Sequence, residues 1–285
     1  MAGPLAGIKV VEMGVWVAGP AAGGILSDWG ADVIKLEPPG VGDPARMFRY
    51  MLGGDLPFNP VFENDNRSKR SIVADLRKEE GRQIAIDLIR QADVFVSNIR
   101  PAALARLGLD PESLCKRFPR LIYAVITGYG REGPESDRAA YDIAAFWARS
   151  GIAASLAQPG SPPPHQRGGM GDHNVGLAAA AGISAALFQR ERDGKGQVVS
   201  TSLLRQGIYT LSFDMAVAMR YGLPIRIVTE RRWEIPRSTV MPTPRENTSG
   251  SSASRASATG RRSRARPVIP SGFPTRAMRT PATVR

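Results

Sequence analysis

The sequence predicts an α/β fold, a Rossmann-like parallel sheet in a large domain followed by helical segments. Three observations point there. Short β-branched runs alternate with helical stretches at roughly 25 to 30 residues per repeat. Glycines stand where a helix must end or a strand must turn, as at Gly30 and in the GYG of residues 128–130. Hydrophobic residues make up 42% of 285 positions, enough for a sizeable core.

IKVVEM (8–13) reads as the first strand, and the glycine- and alanine-rich AGPAAGGILSDWG (18–30) as a helix that Gly30 ends before a second strand, ADVIKLE (31–37). SIVADL (71–76) is the third strand. KEEGRQIAIDLIRQ (78–91) carries Ile84, Ile86, Leu88 and Ile89 as a helix and leads into the strand ADVFVSNI (92–99). PESLCKRF is a helix and RLIYAVITGYG (120–130) a strand closing in a glycine turn. From about residue 142 to 211 helices take over. NVGLAAAAGISAALFQRER is a helix of small residues suited to close packing. GKGQVVSTSLL is a turn followed by a strand or a helix start, and QGIYTLSFDMAVAM a single apolar helix. In such a sheet, ligands belong at the carboxyl ends of the strands.

Composition removes several function classes. No apolar run reaches the roughly 18 to 20 residues that span a bilayer, and MAGPLAGIKVVEM is no secretory signal, so no membrane partner is expected. A single cysteine, Cys115, allows no internal disulfide or thiolate cluster. With only His165 and His173 besides, neither a metal site nor a permanently bound cofactor is expected, and a reducing cytoplasm fits. The net charge of +12 does not mark a nucleic-acid binder, because about twelve arginines, no lysine and two acids follow residue 230. The division expected is a body, 1–230, and an Arg/Ser/Pro-rich tail, 231–285, without apolar periodicity and disordered by composition. Arginine-only usage and abrupt onset suggest a shifted reading frame; a natural basic tail is the alternative.

Three stretches carry chemistry. GVWVAGPAAGG with Glu37 lacks the G-x-G-x-x-G spacing and holds Pro20 at the turn, so it reads as a small-residue helix packed on the sheet and not as a dinucleotide fingerprint. NRSKRS (66–71) is either a solvated basic loop or a phosphate clamp; Arg77, Arg100 and Arg106 follow later strands and would add cations for a ligand with several phosphates. GGMGDHNVG (168–176) sets Asp172 on a glycine loop just before the alanine-rich helix. Asp172 either caps that helix or acts as a covalent nucleophile, with glycines that let an acyl group approach and N–H groups that hold an oxyanion.

PLAGIKVVEM, GP at 19–20, ILSDWGADVIKLEPPGVGDPAR, NRSKRSIVADLRKEEGR, ADVFVSNIRPAALARLGL, PRLIYAVITGYGREGP, AAYDIAAFWARSG and GDHNVGLAAAAGISAALFQRERDGKGQVVSTSLL follow in that order. Together they resemble the class III CoA-transferases, the formyl-CoA transferase and carnitine CoA-transferase group. The resemblance implies transfer of CoA from an acyl-CoA to a carboxylic acid through a covalent intermediate on Asp172, kept ionised by the helix N-terminus. It implies a CoA site at Val17, Ala18, Ala74, Asp75, Leu76, Arg77, Asn98, Ile99, Arg100, Arg106, Arg138 and Tyr141, and an interlocked homodimer. Val17 and Pro38 replace a glutamine and an arginine of formyl-CoA transferases, which favours a larger or less polar acyl group. The α-methylacyl-CoA racemases share the fold and are the enzymatic alternative, although they have AGHD where this chain reads AAYD, and Tyr141 is a poor base. The last fifty-odd residues do not resemble the family's return to the large domain. The family fold is therefore expected to be incomplete at the C-terminus, and an inactive truncated remnant with a basic tail is the other class.

Overall fold

The computed structural model describes residues 3–51 and 57–222. The tail at 231–285, with the body–tail division and the reading-frame expectation, lies outside the described residues.

The chain runs β1 (Lys9–Met13), α1 (Ala18–Asp28), β2 (Asp32–Glu37), a 3₁₀ turn (Pro44–Met47), α2 (Phe48–Met51), α3 (Pro60–Asn66), β3 (Arg70–Val73), α4 (Glu79–Arg90) and β4 (Val94–Ser97). It continues through α5 (Pro101–Arg106), α6 (Pro111–Arg117), β5 (Ile122–Thr127), a π-helical turn (Ile143–Ala148), α7 (Ile152–Leu156), α8 (Met170–Asp193), β6 (Val198–Ser202), α9 (Leu203–Thr210) and α10 (Ser212–Tyr221).

The strands form one sheet in the order β3-β2-β1-β4-β5-β6, and each pairing is parallel. Val11 lies opposite Ile34 on one side and Phe95 on the other. The strand order reverses between β1 and β4, which opens a crevice beyond their carboxyl ends. Alternation along the strands feeds two cores. Val94, Val96, Ile122 and Ala124 pack with α1 and α8, while Phe95, Tyr123 and Val125 pack with Ile89, Leu104 and Leu114 of α4, α5 and α6. Helices thus cover both faces.

The close packing expected of the small-residue helix is present. A Cβ added at Gly176 of α8 would lie 2.8 Å from the Ala21 Cβ of α1, so a side chain there would force the two helices apart. Three boundaries differ from expectation and one open alternative is resolved. β3 stops at Val73, releasing Ala74 and the next residues toward the crevice. GKGQVVSTSLL resolves into a strand and then a helix, because the Ser202 side chain accepts from Arg205 N at 3.1 Å and caps α9. QGIYTLSFDMAVAM is two helices, broken at Leu211. The alanine-rich helix starts at Met170, so Asp172 lies in its first turn and not on a loop.

Candidate active site

The site is built on the turn after β1. Asn98, just past β4, clamps this turn: Val15 N donates to its Oδ1 at 2.9 Å and its Nδ2 donates to Val15 O at 2.8 Å. Trp16 then takes a left-handed backbone, φ 63°, uncommon for a bulky residue. Its N–H donates to Asp43 Oδ1 at 2.9 Å. Asp43 is anchored in turn by Lys35, whose Nζ lies 2.9 Å from Oδ2 and 2.7 Å from Glu12 Oε1. The other Glu12 oxygen is 2.6 Å from Lys69 Nζ. Burial works to raise the Glu12 pKa, but Lys69 and Lys35 outweigh it and hold the carboxyl below its usual range.

This cluster corrects the reading of NRSKRS. Lys69 is buried against Glu12 and donates to Pro20 O at 2.8 Å. Arg67 pairs with Asp28, and Arg70 pairs at 2.6 Å with Asp32, which opens β2 at the end of the sheet away from the crevice. Lys69 is thus a buried structural cation, while Arg67 and Arg70 stay at the surface as a solvated loop would hold them, and no residue of the stretch lines the cavities at the strand ends.

Three cavities of about 400, 430 and 420 Å³ lie at the carboxyl ends of the strands. The first reaches from Val15 and Trp16 past residues 98–101 to Thr127, Gly128, Arg138, Tyr141, Asp142 and Asp172. The second lies between residues 36–39 and 74–77 and shares Val15 and Ile99 with the first. The third is bounded by Trp16, Val17, Phe48, Tyr141 and residues 166–169, and shares Asp172 with the first. Of the residues singled out in the sequence, Ala74, Asp75, Leu76, Arg77 and Ile99 line the second cavity, and Ala18, Asn98, Ile99, Arg100, Arg138 and Tyr141 the first. Val17 lines the third. Arg106 is exposed at the end of α5 and lines none of them. Pro38 borders the second cavity.

Asp172 does not cap its helix. Gly171 N donates to both carboxyl oxygens of Asp142, at 3.1 Å each, so Asp142 caps α8 from 29 residues away. Gly171 must be glycine for packing, since a Cβ there would lie 2.2 Å from the Phe146 ring. The Asp172 carboxylate accepts no hydrogen bond among the described residues. Burial, helped by the charge of Asp142 and opposed by His173, pushes its pKa up to about 7. These surroundings pull against the fully ionised carboxylate that the resemblance implies. His173 leans away, with Nε2 at 3.0 Å from Asp65 Oδ1; this hydrogen bond raises the imidazole pKa.

Sequence reasoning missed Asp142, the Trp16 conformation and the Glu12–Lys35–Asp43 anchor. A faint signal existed for the last: Lys35 lies between the apolar Ile34 and Leu36 inside β2, and Glu12 is its register partner in β1. No group of three or more His, Cys, Asp and Glu placed to hold a metal occurs among the described residues, and no described helix is long and apolar enough to cross a membrane.

The model of CoA-transferase family III matches residues 5–243. A cinnamoyl-CoA:phenyllactate CoA-transferase of Clostridium sporogenes is 38% identical over 214 residues, covering 74% of this chain and 52% of that protein. An (R)-2-hydroxy-4-methylpentanoate CoA-transferase of Clostridioides difficile is 38% identical over 222 residues, covering 76% and 55%. The crystal structure of a CAIB/BAIF family protein from Brucella suis aligns with TM-score 0.73 at 37% identity, over 80% of this chain and 60% of that one. The chain spans about half the length of the curated relatives it matches.

Proposed function

The chain belongs to CoA-transferase family III, and from that premise we propose that it moves CoA from an acyl-CoA thioester to a carboxylic acid, with Asp172 as the acyl acceptor. One observation supports this above the rest. Asp172 is a carboxylate without a hydrogen bond, standing where the first and third cavities meet at the strand ends.

In this reading CoA lies along the first two cavities. Ala74, Asp75, Leu76 and Arg77 enclose one end, and the arm passes Val15 and Ile99 toward Asp172, alongside Ala18, Asn98, Arg100, Arg138 and Tyr141. Arg106 has no role in it. Asn98 acts chiefly through the Val15 backbone that it clamps. The cycle moves no net proton. An Asp172 oxygen attacks the thioester carbon, the C–S bond breaks, and CoA leaves as thiolate from a mixed anhydride. The thiolate attacks the aspartyl carbonyl and expels the donor acid as carboxylate, leaving an aspartyl-CoA thioester. The acceptor carboxylate attacks that carbonyl and releases the thiolate, which takes the acceptor acyl group and restores Asp172. Each oxyanion forms beside the N-terminus of α8, whose macrodipole favours negative charge. The homodimer belongs to the same proposal. The relatives described above are named as transferases, so transfer is preferred here to racemisation.

The test is a transfer assay on the purified chain with a panel of acyl-CoA donors and carboxylate acceptors. Exchange of CoA in the wild type and a fall of at least about a thousandfold in Asp172→Ala are expected, the range seen when a covalent nucleophile is removed. Exchange that survives the substitution refutes the proposal.

A further inference from the structure

Beyond Asp172, on the side that the CoA reading leaves unfilled, the third cavity has an aromatic wall. The Trp16 ring centroid lies 5.6 Å from that of Phe48 and 6.3 Å from that of Tyr141, the latter pair edge to face. Two polar groups at this cavity are unmatched. Arg167 makes no ion pair among the described residues, and both amide atoms of Gln166 are shielded from solvent without a hydrogen-bond partner.

Resting on the transferase reading, we propose that the third cavity is a subsite for the acid's side chain, and that it selects carboxylic acids bearing a bulky, planar apolar group, aryl acids above short-chain ones. Arg167 meets the carboxylate on its way to Asp172, and the rings of Trp16, Phe48 and Tyr141 take the side chain.

Three features carry this. The space admits a ring: an enclosed apolar cavity of about 150 Å³ holds benzene, and this open cleft measures about 420 Å³. A two- or three-carbon acid would leave the aromatic wall wet, whereas a phenyl group covers it and adds ring-on-ring contacts. The Trp16 backbone is the third feature. Its left-handed conformation is unfavourable for a side chain of this size and persists only because its surroundings over-determine it. Here Asn98 fixes the residue before it and Asp43 its N–H, while Lys35 and the Glu37 carboxylate, which accepts from Asp43 N at 2.9 Å, hold Asp43. A strained turn braced by a buried ionic cluster aims one indole at the cleft.

The experiment is calorimetric binding of free acids to the full chain, 3-phenylpropanoate against propanoate, in wild type, Asp172→Ala, Trp16→Gly and Tyr141→Ala. Wild type and Asp172→Ala should both bind the aryl acid at least about tenfold more tightly, and the ratio should drop to about threefold or less in Trp16→Gly, whose glycine accepts the left-handed backbone. Tyr141 is exposed, so Tyr141→Ala offers a second reading if Trp16→Gly folds poorly; there the ratio should fall severalfold. Equal affinity for the two acids overturns the proposal, and so does a preference that persists in the variants. Because binding is read without catalysis, absence of transfer would sink the transferase reading alone, and a flat binding ratio would sink this subsite alone.

Discussion

Two carboxylates border the turn after β1 and meet opposite fates. Glu12 is fully buried in the sheet, with Lys35 and Lys69 at 2.7 and 2.6 Å, and its pKa is held low. Asp172 is only partly buried, faces another carboxylate, Asp142, and is pushed up to about 7. Burial acts on both in the same direction, so partners and not depth decide which group is structural and which is available for chemistry. Glu12 is committed to bracing the Trp16 turn. Asp172 is left uncommitted where the cavities join.

The contrast can be broken from either side. The largest stability effect expected is from Glu12→Ala, which leaves two lysines buried without their carboxylate and should cost about 3 to 5 kcal/mol in denaturant unfolding. Next is the pH dependence of Asp172. Its proton is held more tightly in the folded chain, up to about 7, than in the unfolded one, near 4. The stability this lends is complete below about pH 4 and lost as pH rises through about 7, so wild type should weaken relative to Asp172→Asn by about 1 to 3 kcal/mol over that window. A flat difference between the two would show that Asp172 is not destabilised by its surroundings. Smaller again is Asp142→Ala, which orphans the Gly171 N–H and should cost about 1 kcal/mol. It also removes a like charge, so the pH midpoint for acylation of Asp172 should move below that of the wild type. The smallest effect belongs to Arg67→Ala and Arg70→Ala. Both guanidiniums are paired away from the crevice, and KM for acyl-CoA should be unchanged.

Most of the sheet was legible because β1, β2, β4 and β5 are short apolar runs framed by glycine or charge. The less legible elements have local reasons. In β6, Ser200, Thr201 and Ser202 mix strand with cap chemistry, and no proline or glycine marks the break at Leu211. The start of α8 was hidden because GGMGD looks like a loop, whereas Gly171 is small so that Phe146 and Asp142 can pack against the helix. At the site, pattern alone named Asp172, Arg77, Arg100 and Arg106 but left Asp172 as either cap or nucleophile, and the other residues came only through resemblance. The cap reading is removed by the contact of Gly171 with Asp142, far off in sequence and just before the π-helical turn. Trp16 offered no signal, because a left-handed backbone at a non-glycine residue is imposed by tertiary contacts.

The central claim is that the uncommitted carboxylate is the one that becomes acylated. Its most direct test is to incubate the chain with an acyl-CoA that supports exchange, quench with hydroxylamine and map the modified peptide by mass spectrometry. A hydroxamate on Asp172, absent without the thioester and absent in Asp172→Ala, is the result expected. A hydroxamate on another acidic residue, or CoA exchange at the wild-type rate with Asp172 unmodified, would contradict it.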